Sequence, residues 1–467
     1  MRLDVQVKGK QVAQLYRERD EYVLRYAPGA TADDFVSLTM PVREQPWRWP
    51  RDLHPFFRQN LPEGYLLGVI REQFGSLLDG TDLSLLAVVG GTSIGRVTVT
   101  PEGGVPHQEL TALDVKDILQ GDNTAARFEQ LVRDYARAAI SGAVPKFLVP
   151  DDAGGGTAGT PGAAAHAAGA GAPAADAGIV PLGKSTLKSS RFIIKGSDNA
   201  TPFLGFNEFY SMRVLERLGK APVAKCQMSV DGRALAVERF DVDNEGVPAM
   251  GVEDACSLLG LPPNEKYAST TEKAFAAISA YWQGTPEARQ QVERFAWHLL
   301  TNYVVRNADG HTKNLAVYYS GHDDVAYTPV YDIITTQAYA RYADNPPGLA
   351  VSGRKTWAPG NTLEKFFKAR LGIAPRRYFE MVEALCDSAV DVGREMIEAQ
   401  RNDTRWSQMT ANMLHAWNDG MESLRSPKKR GALRPLTADI QAAHLPNAEP
   451  AIHERFVVGR SPLLGQR

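Results

Sequence analysis

Apolar and polar residues alternate through LDVQVKGKQVAQLYR, residues 3–17, and this period of two predicts a β-hairpin with Gly9-Lys10 at its turn. In DLHPFFRQNLPEGYLLGVIREQFG, residues 52–75, Leu66, Val69 and Ile70 recur at helical spacing instead. DLSLLAVVGGTSIGRVTVTP, residues 82–101, returns to strand, turn and strand. FEQLVRDYARAAI, residues 128–140, predicts a helix, and SGAVPKFLVP, residues 141–150, a turn and a strand. RFIIKG, residues 191–196, is a further strand that can pair with KFLVP as a hairpin. NEFYSMRVLERLG, residues 207–219, is an amphipathic helix stopped by Gly219. CQMSVDGRALAVERFD, residues 226–241, predicts two strands about an Asp231-Gly232 turn. From Val252 to about Ala308 the pattern is mainly helical; NLAVYY and VAYTPVYD follow as short strands, and the chain to about residue 425 is helical again. The last forty residues, with their Pro and polar clusters, are expected to be loosely structured.

One segment changes this picture by composition alone. Residues 153–178 are almost wholly Ala, Gly, Pro and Thr, which cannot bury a core to offset the entropy of ordering, so they are expected to form a flexible surface loop. A β-rich half followed by a helical half predicts an α+β chain with the two-lobed, protein-kinase-like arrangement, its β-rich half including an added small subdomain. The boundaries fall at 1–110 for the subdomain, 111–245 for a β-rich lobe, 246–425 for a helical catalytic lobe and 426–467 for a tail. The formal net charge of −2 over 467 residues gives no electrostatic argument for direct binding to nucleic acid or an anionic membrane. Cys226, Cys256 and Cys386 are far apart and form no CxxC pair, which argues against a disulfide framework or structural zinc and suits a reducing compartment. With no signal-peptide-like or bilayer-spanning apolar run, the expectation is a cytoplasmic protein without a membrane partner.

The chemistry-bearing residues concentrate in NADGHTKN, residues 307–314, and VYDII, residues 330–334. Phosphoryl transfer needs a carboxylate near the attacking hydroxyl and oxygen ligands for the Mg²⁺ that bridges the β- and γ-phosphates of ATP. A D-x-x-x-x-N spacing with a second Asp one hairpin later supplies both: Asp309 as base, Asn314 and Asp332 as metal ligands. His311 lies within the motif and is grouped with the nucleotide-binding residues. Asn, Asp, Gly and His also make ordinary turns, and the motif recurs by chance; the correctly spaced Asp332 and the features around it favour chemistry. Lys195 ends the apolar strand FIIKG, where it can meet the α- and β-phosphates, although a strand-end Lys equally snorkels to water. Glu208 on the next helix can pair with it; equally, Asn207 is an N-cap and Glu208 a first-turn acid. In SGAVPK the backbone at Gly142 and the side chain of Lys146 can cap phosphates, where an ordinary Gly-Pro turn also fits. Glu238 and Phe240, in VERF, stand where a hinge would offer backbone groups to adenine. The Gly90–Gly95 spacing resembles a Walker loop but Arg-Val follows it, no histidine pair has zinc-ligand spacing, and KKR at 428–430 is a short solvated charge run.

With these motifs in one order, the chain resembles the HipA family of bacterial type II toxin serine/threonine-protein kinases, from about residue 1 to about residue 400. FFRQNLPEG with LLAVVGGTSIG resembles the family's N-terminal subdomain and SGAVPK its phosphate loop; FIIKG, NEF, VERFD, GLPPNEKY (260–267), NADGHTKN and PVYD follow in the family's order. The resemblance implies a kinase fold using ATP and Mg²⁺, with Lys195 on ATP, Asp309 as base and Asn314 and Asp332 at the metal. It also implies a small helix-turn-helix antitoxin as partner, through which DNA is mainly contacted, and a protein substrate in translation such as an aminoacyl-tRNA synthetase. The sequence departs from the pattern at Val144, often Gln, and at Ala139, where the family's common autophosphorylated serine stands; Ser141 remains the autophosphorylation candidate. Two other readings stand beside it: a small-molecule kinase of the aminoglycoside-phosphotransferase type, which shares the Asp–Asn–Asp set, and a degenerate co-repressor partner of a helix-turn-helix protein.

Overall fold

The computed structural model describes residues 1–75, 78–104, 114–143, 179–180, 182, 185–359, 361–425 and 434–449. The expected loop over 153–178 and the expected strand KFLVP lie outside them.

The chain opens with strands β1 (Arg2–Val7), β2 (Lys10–Glu18), β3 (Glu21–Tyr26) and β4 (Trp47–Pro50), helices α1 (Pro55–Arg58), α2 (Gly64–Phe74) and α3 (Asp82–Val89), and strand β5 (Val97–Pro101). The strands form one antiparallel sheet in the order β4-β3-β2-β1-β5. Its first turn sits one residue earlier than expected: Val7 faces Lys10, so Lys8 and Gly9 make the turn, with φ of 49° and 78°. Two left-handed residues are what a two-residue hairpin turn between twisted strands requires. The segment DLSLLAVV, expected as a strand, is helix α3. Thr81 caps it by accepting from the Ser84 amide at 3.2 Å. A short apolar run buried on every side carries no period, so strand and helix cannot be told apart from its pattern.

Next come α4 (Val115–Gln120), α5 (Ala125–Ala143), β6 (Ser185–Lys188), β7 (Phe192–Gly196), α6 (Leu204–Leu218), β8 (Cys226–Met228) and β9 (Ala234–Glu238). The sheet order is β6-β7-β9-β8, so RFIIKG is flanked by β6 on one side and β9 on the other. The Asp231-Gly232 turn between β8 and β9 is as expected, with Gly232 at φ 70°. Helix α5 continues through Ser141-Gly142-Ala143, where a turn was expected; Ala-rich sequence sustains a helix and no proline falls between Ala125 and Ala143. Its inward face, Phe128, Val132 and Ala136, packs with Val69 and Ile70 of α2, Leu85 and Val88 of α3 and Leu187 and Ile194 of the sheet.

The rest comprises β10 (Gly251–Asp254), α7 (Ala255–Leu258), α8 (Thr271–Ser279), α9 (Ala288–Val304), β11 (Ala316–Gly321), β12 (Asp324–Tyr327), α10 (Thr362–Arg370), α11 (Pro375–Asn402), α12 (Ser407–Leu424) and α13 (Thr437–Ala442). Strands β10-β11-β12 form a third antiparallel sheet against a helical core that includes Trp282, Trp297, Phe367 and Trp417. Strand β12 stops at Tyr327, short of the expected 332, and residues 333–359, expected as helix, contain no α-helix but two single 3₁₀ turns, and are held by side chains, for example Trp357 Nε1 donating to the Asn345 carbonyl at 2.7 Å. The C-terminal stretch is better ordered than expected over 434–449: Leu436 and Ile440 are buried in the main core. No helix among the described residues is long and apolar enough to cross a membrane.

The first sheet is tied to the third by buried polar bonds. Glu253 of β10 accepts from Ser37 Oγ at 2.8 Å, the Leu38 amide at 2.6 Å and Tyr319 Oη at 2.7 Å. Arg96 donates to the carbonyls of Phe35 at 2.9 Å and Ser320 at 3.0 Å while its guanidinium lies 4.0 Å from the Phe35 ring centre.

Candidate active site

Helix α9 ends at Val304, and the chain reverses through Arg306, a buried non-glycine residue at φ 58°. The Arg306 guanidinium donates to the carbonyls of Trp357 at 3.0 Å and Asp419 at 2.6 Å, which ties the reversal to both neighbouring segments. Beyond it the loop is held by a set of specific bonds. The Asn307 carboxamide accepts from the Asp309 amide at 3.0 Å, Thr336 Oγ1 from the Ala308 amide at 2.8 Å, and Asn314 Nδ2 donates to the Asp309 carbonyl at 2.8 Å. Asp309 is buried, with Tyr267 Oη donating to its Oδ1 and His311 Nε2 at 3.7 Å.

From the other side β7 delivers Lys195 and α6 delivers Glu208. Lys195 Nζ bridges Glu208 Oε1 at 2.5 Å and Asp332 Oδ1 at 2.6 Å. The three charges are nearly out of water, a costly arrangement that persists only when the ions are paired. Asp332 sits at φ 60°, a strained setting for a residue with a β-carbon. The strain is held in place by α6: Asn207 Oδ1 accepts from the Thr335 amide at 2.7 Å and its Nδ2 donates to the Thr335 carbonyl at 3.0 Å. Asn207 is therefore not an N-cap. The helix starts at Leu204, so Asn207 and Glu208 point from its interior into the site.

These residues open onto a cavity of about 460 Å³ lined by Asp309, His311, Asn314 and Asp332, by Lys188 and Thr186 of β6, and by Gln59, Asn60, Glu63 and Leu66 of the N-terminal unit. Lys266 and Lys313 also face it, both paired with Glu63. Burial alone would raise the Glu63 carboxyl, but the two ammonium groups outweigh it and bring it down to about 2. Tyr267, Glu63, Lys266 and Lys313 were given no role from the sequence, although each stands in a motif quoted for the resemblance: Glu63 in FFRQNLPEG, Lys266 and Tyr267 in GLPPNEKY and Lys313 in NADGHTKN. Their pairing had no signal, because the partners lie far apart along the chain.

A family model described as the HipA-like C-terminal domain matches residues 138–392, more than half of the chain, and one described as the HipA N-terminal domain matches residues 3–100. This chain belongs to the HipA family. The "Putative kinase Y4mE" of Sinorhizobium fredii is 26% identical over 382 residues, covering 76% of this chain and 82% of that protein. A second from the same organism, "Putative kinase Y4dM", is 25% identical over 363 residues and 74% of this chain. The HipA of the Shewanella oneidensis MR-1 toxin–antitoxin system, solved with HipB and its operator DNA, matches over 93% of this chain and 99% of that chain. Its TM-score is 0.59 at 17% identity, a likeness of fold. The α+β, kinase-like architecture is thus the expected one.

The HipA-like C-terminal match spans every residue of the Lys195–Glu208–Asp309–Asn314–Asp332 group, and the N-terminal match spans Glu63. The other sequence-derived candidates fall elsewhere. Glu238 ends β9 and Phe240 packs its ring near Tyr318 and Tyr331; neither lines the cavity. Ser141 and Gly142 belong to the last turn of α5, and Lys146 and Val144 lie outside the described residues.

Proposed function

We propose that this protein is a serine/threonine protein kinase that moves the γ-phosphoryl group of ATP, with Mg²⁺, onto a hydroxyl of a translation component such as an aminoacyl-tRNA synthetase. In this reading it is the toxin of a toxin–antitoxin pair, restrained by a small helix-turn-helix antitoxin that makes most of the DNA contact. The observation that carries the kinase reading is the bridging of Glu208 and Asp332 by Lys195, with Asp332 lining the same cavity as Asp309 and Asn314. The names of the two Sinorhizobium relatives support the activity class, and the HipB complex of the Shewanella neighbour supports the partner.

Each residue has a role in that reading. Lys195, fixed by Glu208, meets the α- and β-phosphates. The Asn314 amide nitrogen is spent on the Asp309 carbonyl, which leaves its oxygen, with the Asp332 carboxylate, as hard donors suited to Mg²⁺. Among the described residues no three His, Cys, Asp or Glu side chains group as a metal site, so phosphate oxygens and water would complete the shell. The ion, when bound, neutralises charge on the β- and γ-phosphates. Asp309 accepts the proton of the acceptor hydroxyl as its oxygen bonds to the γ-phosphorus and the bond to the β–γ bridging oxygen breaks, leaving ADP.

The test is incubation of the full chain with labelled ATP and Mg²⁺, alone and with cell extract, beside Asp309→Asn. Label should appear on Ser141 or on an extract protein and fall about a thousandfold in the variant, with its melting temperature unchanged. Label retained in Asp309→Asn would overturn the assignment of the base. ATP bound with no protein labelled would replace the protein acceptor with a small molecule.

A further inference from the structure

The N-terminal unit does more than flank the cleft. The turn between α1 and α2 is pinned at two points. Gln59 bonds the Val252 carbonyl at 3.2 Å and the Asp254 amide at 3.3 Å through the two ends of its carboxamide. Asn60 does the same with the Ile94 amide at 2.9 Å and carbonyl at 3.3 Å. So fixed, the turn presents Glu63 to the cavity, where one carboxylate oxygen lies 3.3 Å from Lys266 Nζ and the other pairs with Lys313 Nζ. Each lysine is one residue from the chemistry: Lys266 precedes Tyr267, which bonds Asp309, and Lys313 precedes Asn314. The loops carrying them are also joined, since Thr312 donates through its amide at 3.2 Å and its hydroxyl at 2.9 Å to the Lys266 carbonyl.

Two ammonium groups facing the metal-binding end of the cleft form an anion site, and the anion now resident there is a side chain. We propose that Glu63 occupies the phosphate end of the cleft as an intramolecular competitor of the nucleotide, so that the N-terminal unit sets the affinity for ATP. This rests on the reading of the cleft as an ATP site. The triphosphate carries several negative charges and takes up the lysines more strongly than one carboxylate does. Glu63 must then give up its partners beside a like-charged ligand, and that loss appears as weaker ATP binding. A bracing role for Glu63, holding the lysines in place for the phosphates, predicts the opposite sign.

The experiment is calorimetric titration of the full chain with ATP and Mg²⁺, for wild type, Glu63→Gln and Glu63→Asp. Glu63→Gln keeps the size and removes the charge, and it should bind ATP about fivefold more tightly, the range of a partly exposed ion pair. Adenosine, which has no phosphates, should bind both forms alike, and the gain for ATP should shrink in about 0.5 M salt as the charges are screened. Glu63→Asp keeps the charge and should stay near wild type. Unchanged or weaker ATP binding by Glu63→Gln overturns the inference, as does an equal shift in adenosine affinity or the same gain in Glu63→Asp. Wild-type protein that binds no ATP at all removes the kinase reading and this inference with it; normal wild-type binding without the Glu63→Gln gain removes the inference alone.

Discussion

The Tyr267 hydroxyl donates to Oδ1 of the Asp309 carboxylate and so fixes how that carboxylate is turned. Burial, with Asp309 beside it, keeps the phenol proton well above its usual range, so Tyr267 is a fixed donor and never a competing base. Its own backbone is anchored by Lys355 Nζ at 3.0 Å. Tyr267→Phe should free the carboxylate to rotate, lowering kcat about ten- to a hundredfold while ATP affinity stays within about twofold; single-turnover kinetics beside a nucleotide titration would check this. A fall in ATP affinity equal to the fall in kcat would mean the hydroxyl serves the fold instead. At this scale the sequence was legible where chemistry imposes a local spacing. Asp309 and Asn314 are five positions apart because one loop carries both, and Asp332 follows within one hairpin. Tyr267 and Glu63 reach the same carboxylate and the same lysines from other parts of the chain, and no period or spacing records that meeting.

Helix α6 carries two functions on one face, Glu208 toward Lys195 and Asn207 toward the strained Asp332 segment, and both depend on how closely the helix lies on β9. Gly205 sets that distance: a β-carbon there would run into the Ala234 backbone. Gly205→Ala should therefore destabilise the protein by about 1–3 kcal/mol, the usual range for overpacking, and should lower phosphoryl transfer by moving Glu208. Chemical denaturation together with the labelling assay measures both; full stability with full activity would show that the helix has room. Elements with clear periodicity, such as β1, β2, α5 and α6, were legible from the pattern of side chains. Those defined otherwise were not. The run from Leu83 to Val88 of α3 is buried throughout, so it has no exposed face to reveal its period. The 333–359 segment is shaped by side chains reaching in from α6 and elsewhere, as in the Asn207–Thr335 bonds, and pattern cannot show those. The tail holding Leu436 and Ile440 looked polar because only a few residues anchor it.

At the scale of the molecule, the β-rich and helical halves were legible in the chain, but the docking of the first sheet onto the third was not. Glu253 is the centre of that docking, and burial lifts its carboxyl to about 7. In the unfolded chain it titrates in the ordinary carboxylate range, so between there and about pH 7 the folded state holds the extra proton. Its contribution to stability therefore falls as pH rises through that window. Glu253→Gln keeps acceptors and donors without the titration. The melting temperature of this variant relative to wild type should climb from about pH 5 to about pH 8; a constant difference would mean that Glu253 stays ionised in the fold. The pairing of Glu63 with Lys313 spans 250 residues of chain, and it bears on how the protein is made. A ribosome adding about 5–20 residues per second leaves the N-terminal unit waiting on the order of tens of seconds before Lys313 is synthesised. Until then the cleft lacks Asp309, Asn314 and Asp332 together, so in the proposed reading a nascent fragment short of them has no phosphoryl-transfer site. The groups that dock the N-terminal unit, Ser37, Leu38 and Arg96, likewise wait for their partners Glu253 and Ser320 to be made.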